Sequence, residues 1–457
     1  MSALPDKFRR FRLAWLLAAA LLGLALRIAA ARGDYWLDEA WSAWFAREAG
    51  TPGRVFFAIN HDNNHLLNTL WLQLVGWGSP PILGRALSIV SGSAAVIVAG
   101  MIGARRGTRP AIVTAILFAV SPILVTYGSE ARGYAPMLLA LLTSIWIVDR
   151  ELNGVAVRHG AIWLGLAALL GMLAHVSMLF GVAALTGWVA IQSWRQSGPR
   201  PAAIATLRFM VRPIAAVAAV LLLIAVGALA APDGYRMGIR TGFAWGPYID
   251  ALTYMVAFTI GWPFKVGFWL LPVLLVPAVM AIRGRALFYF IAIVGLPLTV
   301  AILQPDNAAI PRYYLLSAAA LLLLLADLLA GRRRPAWLPL AALVAGSLTV
   351  DIRMIANLRG QPGATITAMK ERSPAAVVMP DEPKDSAVLE AAAASRGYKL
   401  DIAEGCAANT RYLFAENNGT VAFPTVKTRC GASFRAVRSG QAYGLSGMHW
   451  QLYERAQ

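Results

Sequence analysis

The sequence contains few charged residues. Asp, Glu, Lys and Arg together make up 14% of its 457 residues, and the mean hydropathy is +0.60. A soluble domain usually carries about 25% charged residues, and here the apolar character continues almost without interruption over most of the chain. This composition excludes a cytosolic enzyme, a coiled coil and a disordered scaffold, and it indicates a membrane protein.

Acidic residues are scarce where the chain is most apolar. Residues 1–356 hold 14 of the 23 Asp and Glu, while 41 Lys and Arg give the whole chain a formal net charge of +18. In a soluble protein this excess would suggest a nucleic-acid partner, but no basic run is interleaved with aromatic residues as a nucleic-acid groove requires. We therefore expect no nucleic-acid partner, and we interpret the basic residues as determinants of membrane topology.

Long apolar segments between polar breaks predict an all-α polytopic membrane protein. A membrane-crossing helix needs roughly 17–25 apolar residues, and about eleven segments reach or approach that length. No internal repeat is evident. The segments lie near residues 13–31, 82–104, 110–127, 133–148, 160–174, 176–193, 213–231, 263–282, 286–303, 312–330 and 336–352.

Basic clusters fall in alternate connections between these segments. Arg105 and Arg106 follow the second segment, and residues 332–334 follow the tenth. Because Lys and Arg collect in cytoplasmic loops, this alternation predicts a cytoplasmic N-terminus and a C-terminal segment on the outer side. A cleaved signal peptide ending near residues 29–31 is the alternative, although it would disturb the alternation downstream.

The composition changes after about residue 356. We expect a transmembrane catalytic domain over 1–356 and a small periplasmic or extracytoplasmic α/β domain over 357–457. Cys406 and Cys430, the only two cysteines, would both lie on the oxidising side, which predicts a disulfide. The elements predicted in this domain are strands near 377–379, 398–402, 412–414 and 449–453, and a helix over 386–395 capped by Ser386.

The first outer loop, about residues 32–81, contains two amphipathic stretches. Trp41 and Trp44 recur at helical spacing, which predicts an interfacial helix on the membrane surface. A second helix is predicted from Leu66 to Trp77. Asp38 stands at the start of the first helix, where it is either an N-cap or a general base held at the membrane face.

The stretch from Asn60 to His65 concentrates polar side chains in six positions. It is either a solvated loop or a site for sugar hydroxyls, phosphate or a divalent ion. His61 and His65 are four residues apart, but no third metal ligand is indicated by spacing. We therefore predict no metal site and no certain cofactor, and we leave a divalent cation open.

Further charged residues stand on the predicted outer side. Glu130 and Arg132 lie between two apolar segments, where they either pair with one another or hold a phosphate through the guanidinium. Arg312 and Lys265 contradict the positive-inside rule, so both are candidates for an anion site. His175 is a weaker candidate, because a hydrogen-bonded structural histidine fits the sequence equally well.

Several of these residues stand in a familiar order. The segments are Trp36-Leu37-Asp38-Glu39, Asn64-His65-Leu66-Leu67-Asn68, Arg85 with Leu87, residues 129–134 and Pro311-Arg312-Tyr313. In order and spacing, over roughly residues 10–330, they resemble the successive motifs of GT-C glycosyltransferases. The resemblance is to the protein O-mannosyltransferases and the bacterial lipid A aminoarabinose transferases, that is, to glycosyltransferase family 39.

The resemblance implies a GT-C enzyme of the bacterial inner membrane. Such an enzyme takes a sugar from a polyprenyl phosphate and passes it to a lipid, glycan or protein acceptor at the outer face. The resemblance implies that Asp38 is the catalytic carboxylate, and we expect Glu39 to act beside it. The residues expected to bind the donor are His65, Glu130, Arg132, Tyr134, Lys265, Arg312 and Tyr313, with Asn64, Arg85 and His175 lining the site.

Two other functions remain open at this point. A glycan polymerase or ligase would keep the fold and use a pyrophosphate-linked donor. A polytopic transporter or flippase would usually show internal repeats and broken segments near mid-membrane, whereas the unusual charges here fall at one face.

Overall fold

The computed structural model describes residues 6–59, 61, 65–231, 241–262, 284–331, 336–403, 405–407, 409–417, 419 and 421–456. The described chain is mostly helical up to residue 370, and a mixed β-sheet follows. The helices of the first part are α1 (Asp6–Ala30), α2 (Leu37–Ala49), α3 (Arg54–Phe57), α4 (Leu66–Val75), α5 (Pro81–Ala104), α6 (Thr108–Val120), α7 (Pro122–Tyr127), α8 (Tyr134–Leu152), α9 (Gly160–Ala174), α10 (Met178–Ser197), α11 (Pro199–Ala230), α12 (Trp245–Ile260), α13 (Ala286–Leu303), α14 (Leu315–Gly331), α15 (Trp337–Asn357) and α16 (Ala364–Lys370).

The chain is a multi-pass membrane protein. Within the described ranges, six helical segments are long and apolar enough to cross a membrane. The expected number of about eleven is therefore not confirmed, and the span predicted at 263–282 lies outside the described residues. The six segments are Phe11–Ala30, Pro81–Ala104, Pro199–Ala230, Ala286–Leu303, Pro311–Ala330 and Trp337–Gly360.

One predicted span is broken in the structure. The segment near 110–127 forms two helices, because α6 ends at Val120 and α7 begins at Pro122. Ser121 between them has extended backbone angles, φ −66° and ψ 119°. A residue that precedes proline is sterically disfavoured in the helical region, so a continuous helix fails at this position.

The helix bundle has two ends, and each is named after a carboxylate that lies there: the partly exposed Asp38 at one and the buried Asp149 at the other. The Asp38 end carries the connections 31–36, 128–133 and 304–310. The Asp149 end carries residues 105–107, 153–159 and 284–285. Helices α1, α5 and α8 run between the two ends.

Ion pairs connect the helical segments at the Asp149 end of the bundle. Nε and Nη2 of Arg285 each donate to the Asp149 carboxylate at 2.8 Å, and Nε of Arg105 lies 2.7 Å from the same carboxylate. Arg106 pairs with Asp327. These contacts join α8, α14, the residue before α13 and the connection after α5, so they fix the relative positions of four segments.

The C-terminal part forms one mixed sheet. Its strand order is β2-β1-β3-β6-β5-β4; β1 is parallel to β2 and β3, and the other pairs are antiparallel. Helix α17 (Ser386–Ala394) connects β1 to β2. The strands are β1 (Ala375–Pro380), β2 (Lys399–Ile402), β3 (Tyr412–Asn417), β4 (Val426–Arg429), β5 (Ala432–Gly440) and β6 (His449–Arg455).

The four expected strands and the expected helix are present in this part, and Cys406 and Cys430 form a disulfide. The predicted Ser386 cap is wrong. The 3-10 turn Pro383–Asp385 leads directly into α17, so Asp385 occupies the N-cap position, and Ser386 Oγ donates to the Pro383 carbonyl at 2.8 Å.

The sheet packs against the start of α2. Tyr35 and Trp36 share one hydrophobic core with Ile366 and Trp450 of the C-terminal part. Nη2 of Arg396 lies 2.9 Å from Asp34 Oδ2 at the edge of this contact. Asp38 therefore stands on a helix whose first turn is held between the membrane helices and the sheet.

Candidate active site

Asp38 is the second residue of α2, and its carboxylate faces two arginines. Arg312 Nη1 lies 2.6 Å from Asp38 Oδ2, and Arg132 Nη1 lies 2.9 Å from the same oxygen. The N-cap of α2 is Trp36, so the N-cap alternative for Asp38 is wrong. Three segments distant in sequence therefore bring one carboxylate and two guanidinium groups together.

Side chains of α4 and α5 hold the backbone on either side of Arg132. Asn68 Nδ2 donates to the Ala131 carbonyl at 2.6 Å, and Ser88 Oγ donates to the Arg132 carbonyl at 2.8 Å. The Ala131 N–H donates to Glu39 Oε1 at 2.7 Å. Because its backbone is fixed from three directions, Arg132 is preorganised to face Asp38.

Arg312 lies in the 3-10 turn Pro311–Tyr314, directly before α14. The buried Tyr314 hydroxyl donates to the Ala308 carbonyl at 2.7 Å. The Asn307 N–H donates to the Thr241 carbonyl at 2.8 Å, which ties the preceding connection to the chain before α12. The turn that carries Arg312 is thus anchored on both its sides.

The Asp38 carboxylate is ionised and remains accessible. Burial disfavours its charge, but Arg312 and Arg132 outweigh that effect and hold the pKa of Asp38 below its ordinary value. The side chains of Asp38, Arg132 and Arg312 are 21%, 12% and 16% exposed. Two guanidinium groups against one carboxylate leave an excess positive charge that a ligand can reach.

His65 extends this group on the Arg132 side. Arg132 Nη2 lies 2.7 Å from His65 Nε2, and since guanidinium nitrogens only donate, His65 accepts here. Burial lowers the pKa of His65 well below its ordinary value, and Arg132 and His175 act in the same direction. His65 is therefore a neutral imidazole that orients Arg132.

Aromatic rings form one wall of the site. The ring of Tyr134 lies 5.1 Å from His65 and 4.5 Å from His175, and Tyr313 lies 6.3 Å from His175. His175 Nδ1 is 2.6 Å from Ser177 Oγ, which orients the ring. The buried Tyr134 hydroxyl has no hydrogen-bond partner among the described residues. Such a group costs about 1–3 kcal/mol, which a ligand oxygen would recover.

Glu39 and Arg85 lie apart from this opening. Arg85 Nε and Nη2 donate to Glu39 Oε1 and Oε2 at 2.8 and 2.6 Å, and both side chains are fully buried. Arg85 also donates to the carbonyls of Ala31, Gly33 and Asp34 at 2.8, 2.8 and 2.6 Å. The pair joins α5 to the connection between α1 and α2, so it supports the turn that presents Asp38.

Glu130 is buried beside two residues that the sequence did not indicate. Ser446, from the connection between β5 and β6, donates to the Glu130 carboxylate. Burial raises the pKa of Glu130 to about 7, although Arg359 opposes the shift. Arg359 Nη2 donates to Ser129 Oγ at 2.8 Å, and its Nη1 donates to the Ala30 carbonyl at 2.7 Å. Arg359 follows an apolar span on the predicted outer side, which is the signal that identified Arg312.

Lys265 and Asn64 lie outside the described residues. In the described ranges, no group of three or more His, Cys, Asp or Glu side chains is placed to hold a metal ion. The structure brings together Asp38, His65, Arg132, Tyr134, His175, Arg312 and Tyr313.

No protein-family model matches the chain, and no curated protein matches its sequence. Solved structures similar to it are oligosaccharyltransferases. The archaeal oligosaccharyltransferase AglB from Archaeoglobus fulgidus, in complex with an inhibitory peptide and a dolichol-phosphate, is 12% identical with a TM-score of 0.47. The Archaeoglobus fulgidus oligosaccharyltransferase in the apo form is 11% identical with a TM-score of 0.48. Each match covers 89% of this chain and 69% of the other.

Proposed function

We propose that this protein is an integral-membrane glycosyltransferase that moves a sugar from a polyprenyl-phosphate donor to a lipid, glycan or protein acceptor. The observation that carries the proposal is the contact of Asp38 with Arg132 and Arg312, at 2.9 and 2.6 Å, among side chains that are all partly exposed. The ordered resemblance of the sequence motifs to GT-C glycosyltransferases supports the same reaction class.

Asp38 has the properties of a general base for the acceptor. Its carboxylate is ionised at neutral pH, and it is accessible to an incoming hydroxyl or amine. A positioned base that takes a proton in the transition state typically contributes 10²–10⁴-fold to the rate. Asp38 would accept the proton as the acceptor oxygen or nitrogen attacks the anomeric carbon.

Arg132 and Arg312 have the properties required on the leaving-group side. A sugar phosphate departs as an anion, and preorganised guanidinium groups stabilise the charge that develops on its oxygens. His65 holds Arg132 in place, and the buried Tyr134 hydroxyl, which has no partner among the described residues, would donate a hydrogen bond to an oxygen of the sugar donor that enters beside it. Phosphate is already a good leaving group, so this reaction needs little acid catalysis.

The same two arginines connect donor binding with the strength of the base. Without the donor, both guanidinium groups neutralise Asp38 and lower its basicity. A donor phosphate that shares Arg132 and Arg312 would weaken this effect, because the new anion repels the carboxylate charge. Asp38 would then be a stronger base when the donor is present.

A single displacement of this kind inverts the configuration of the anomeric carbon. The acceptor and the phosphate must occupy opposite faces of the sugar. We place the reaction at the outer face of a bacterial inner membrane, with the N-terminus in the cytoplasm, because basic residues cluster at the Asp149 end. A sugar on a polyprenyl phosphate reaches that face through the lipid, whereas nucleotide sugars are cytoplasmic.

The proposal is tested with the full chain in lipid nanodiscs and radiolabelled sugar donors. We expect consumption of the polyprenyl monophosphate-linked sugar, and a 10²–10⁴-fold lower rate in Asp38→Asn with an unchanged thermal midpoint. Glu48→Gln is the matched control, because Glu48 is a half-exposed acid on the same helix. Full turnover in Asp38→Asn would refute the assigned base.

The same assay separates the other functions. Consumption of only a pyrophosphate-linked donor would replace this proposal with a polymerase or ligase. Movement of a labelled lipid between leaflets without any transfer of sugar would replace it with a flippase.

A further inference from the structure

A cavity of about 510 Å³ opens at the Asp149 end of the bundle. The residues that form it come from the start of α1, the end of α5, the end of α8 and the connection after α8. Its apolar wall consists of Leu13, Leu16, Met101, Ala104 and Val155.

The cavity is remote from Asp38. Helices α1, α5 and α8 reach the cavity at Arg12, Ala104 and Arg150, and they meet the site region at their opposite ends. The stretches Arg12–Ala30, Pro81–Ala104 and Tyr134–Arg150 contain 19, 24 and 17 residues, which at 1.5 Å per residue corresponds to roughly 26–36 Å. A bilayer core is about 30 Å thick, so the cavity lies at the opposite membrane boundary.

Three guanidinium groups surround the cavity: those of Arg12, Arg105 and Arg150. Arg105 pairs with Asp149, which Arg285 also neutralises. No ion pair of Arg12 or Arg150 occurs within the described residues. Among the side chains that the structure describes, two positive charges therefore face the cavity without a carboxylate partner.

Trp146 and Arg150 form the polar margin of the cavity. The guanidinium carbon of Arg150 lies 5.1 Å from the centre of the Trp146 ring, which holds the charged group at the rim. Arg150 Nε is buried and has no hydrogen-bond partner among the described residues. An anion bound here would supply that partner.

We propose that this cavity binds an anionic phospholipid of the leaflet at the Asp149 end. The headgroup phosphate would lie between Arg12 and Arg150, and an acyl chain would follow the apolar wall along α1 and α5. Charge complementarity favours an anionic over a zwitterionic headgroup, and basic pockets between helices at a membrane boundary bind such lipids. A soluble anion would leave the apolar wall exposed to water. The proposal is independent of the reaction proposed for Asp38.

The first test measures lipids that remain bound to the full chain. The protein is extracted from nanodiscs of equal phosphatidylglycerol and phosphatidylcholine, and its bound lipids are counted by native mass spectrometry. We expect a preference for phosphatidylglycerol of roughly tenfold, and we expect the double variant Arg12→Gln/Arg150→Gln to lose it. The control is Arg109→Gln/Arg158→Gln, which removes two exposed charges at the same end and should keep the preference.

A second measurement leaves the arginines intact and therefore does not depend on the folding of the double variant. Phosphatidylglycerol with brominated acyl chains should quench tryptophan fluorescence more strongly in the unchanged protein than in Trp146→Phe. Brominated phosphatidylcholine should show no such difference. Equal lipid retention in the double variant, equal quenching by both lipids, or displacement of the lipid by millimolar inorganic phosphate would overturn the proposal.

Discussion

Asp38 and Glu39 are adjacent on α2, but they lie in two different environments. The Asp38 side chain is 21% exposed and shares two arginines that are themselves partly exposed. Glu39 and its partner Arg85 are fully buried, and backbone groups take up their remaining hydrogen-bonding capacity. A partly exposed ion pair can exchange partners with a ligand. Breaking a fully buried ion pair, in contrast, leaves an unpaired charge inside the protein. The comparison separates Asp38, which would take part in the reaction, from the Glu39–Arg85 pair, which supports the turn that carries Asp38.

The largest effect is expected from Arg85→Met. The substitution leaves the Glu39 carboxylate buried without its cation, which typically costs 3–5 kcal/mol. Because a whole protein is stable by only about 5–15 kcal/mol, little folded protein should remain. Fluorescence-detected size exclusion and the thermal midpoint measure the loss.

The matched control for Arg85→Met is Arg47→Met. Arg47 is 45% exposed and pairs with Glu390 at 3.3 Å, and an exposed pair of this kind contributes about 0–1 kcal/mol. A thermal midpoint in Arg85→Met as high as in Arg47→Met would contradict the structural role of the Glu39–Arg85 pair.

An intermediate effect is expected from Arg312→Gln. Asp38 keeps its contact with Arg132, so the fold should survive, while the donor phosphate loses one charged partner. A hydrogen bond to a charged group contributes about 1.5–3 kcal/mol, which corresponds to roughly 10–150-fold in donor affinity. Donor titration in nanodiscs measures the change. Arg54→Gln removes an exposed charge from the first outer loop, which carries Asp38, and should bind donor normally; equal affinity in the two variants would exclude Arg312 from the phosphate site.

The smallest effect concerns Glu130, which is buried like Glu39 but has a hydroxyl as its direct partner. Its pKa of about 7 lies above the ordinary 4.5, so the folded state holds a proton that the unfolded state releases. The resulting stability is fully present below pH 4.5 and is lost as the pH rises towards 7. The thermal midpoint should therefore fall by a few degrees between pH 5 and 7.5.

Glu130→Gln should remove this pH dependence, because an amide remains neutral over the whole range. Melting curves at several pH values, with Glu48→Gln as the exposed control, provide the measurement. A decline of the same size in Glu130→Gln would assign the pH dependence to another group.

The sequence predicted the residues around Asp38 better than it predicted their roles. Arg312 was identifiable because an arginine on the outer side contradicts the positive-inside rule, and Arg132 was identifiable because it lies with Glu130 between two apolar segments. Sequence spacing does not distinguish Asp38 from Glu39, since the face of α2 that is buried depends on packing against α4 and α17. Ser446 reaches the Asp38 end only through the folded C-terminal sheet, whereas Arg359 directly follows α15 and could have been singled out by the same signal as Arg312.

The predictions of helices and strands were wrong or incomplete where the local sequence does not determine the structure. Pro122 divides one apolar segment into two helices, which a count of apolar residues does not detect. Strands β4 and β5 were not predicted, because charged and exposed residues interrupt their alternation. Strand β5 pairs with β6 and β4 pairs with β5, so both strands depend on their neighbours in the sheet rather than on their own hydrophobic pattern.

The position of β6 has a consequence for the order of assembly. The ribosome makes β6 after the other five strands, yet β6 lies between β3 and β5 and is the strand that connects them. Until β6 leaves the ribosome, one edge of β3 and one edge of β5 lack a hydrogen-bonded neighbour. Unpaired strand edges favour aggregation. Biosynthesis therefore passes through a stage at which the membrane helices and five strands have been made, while the two halves of the sheet still lack the strand that connects them.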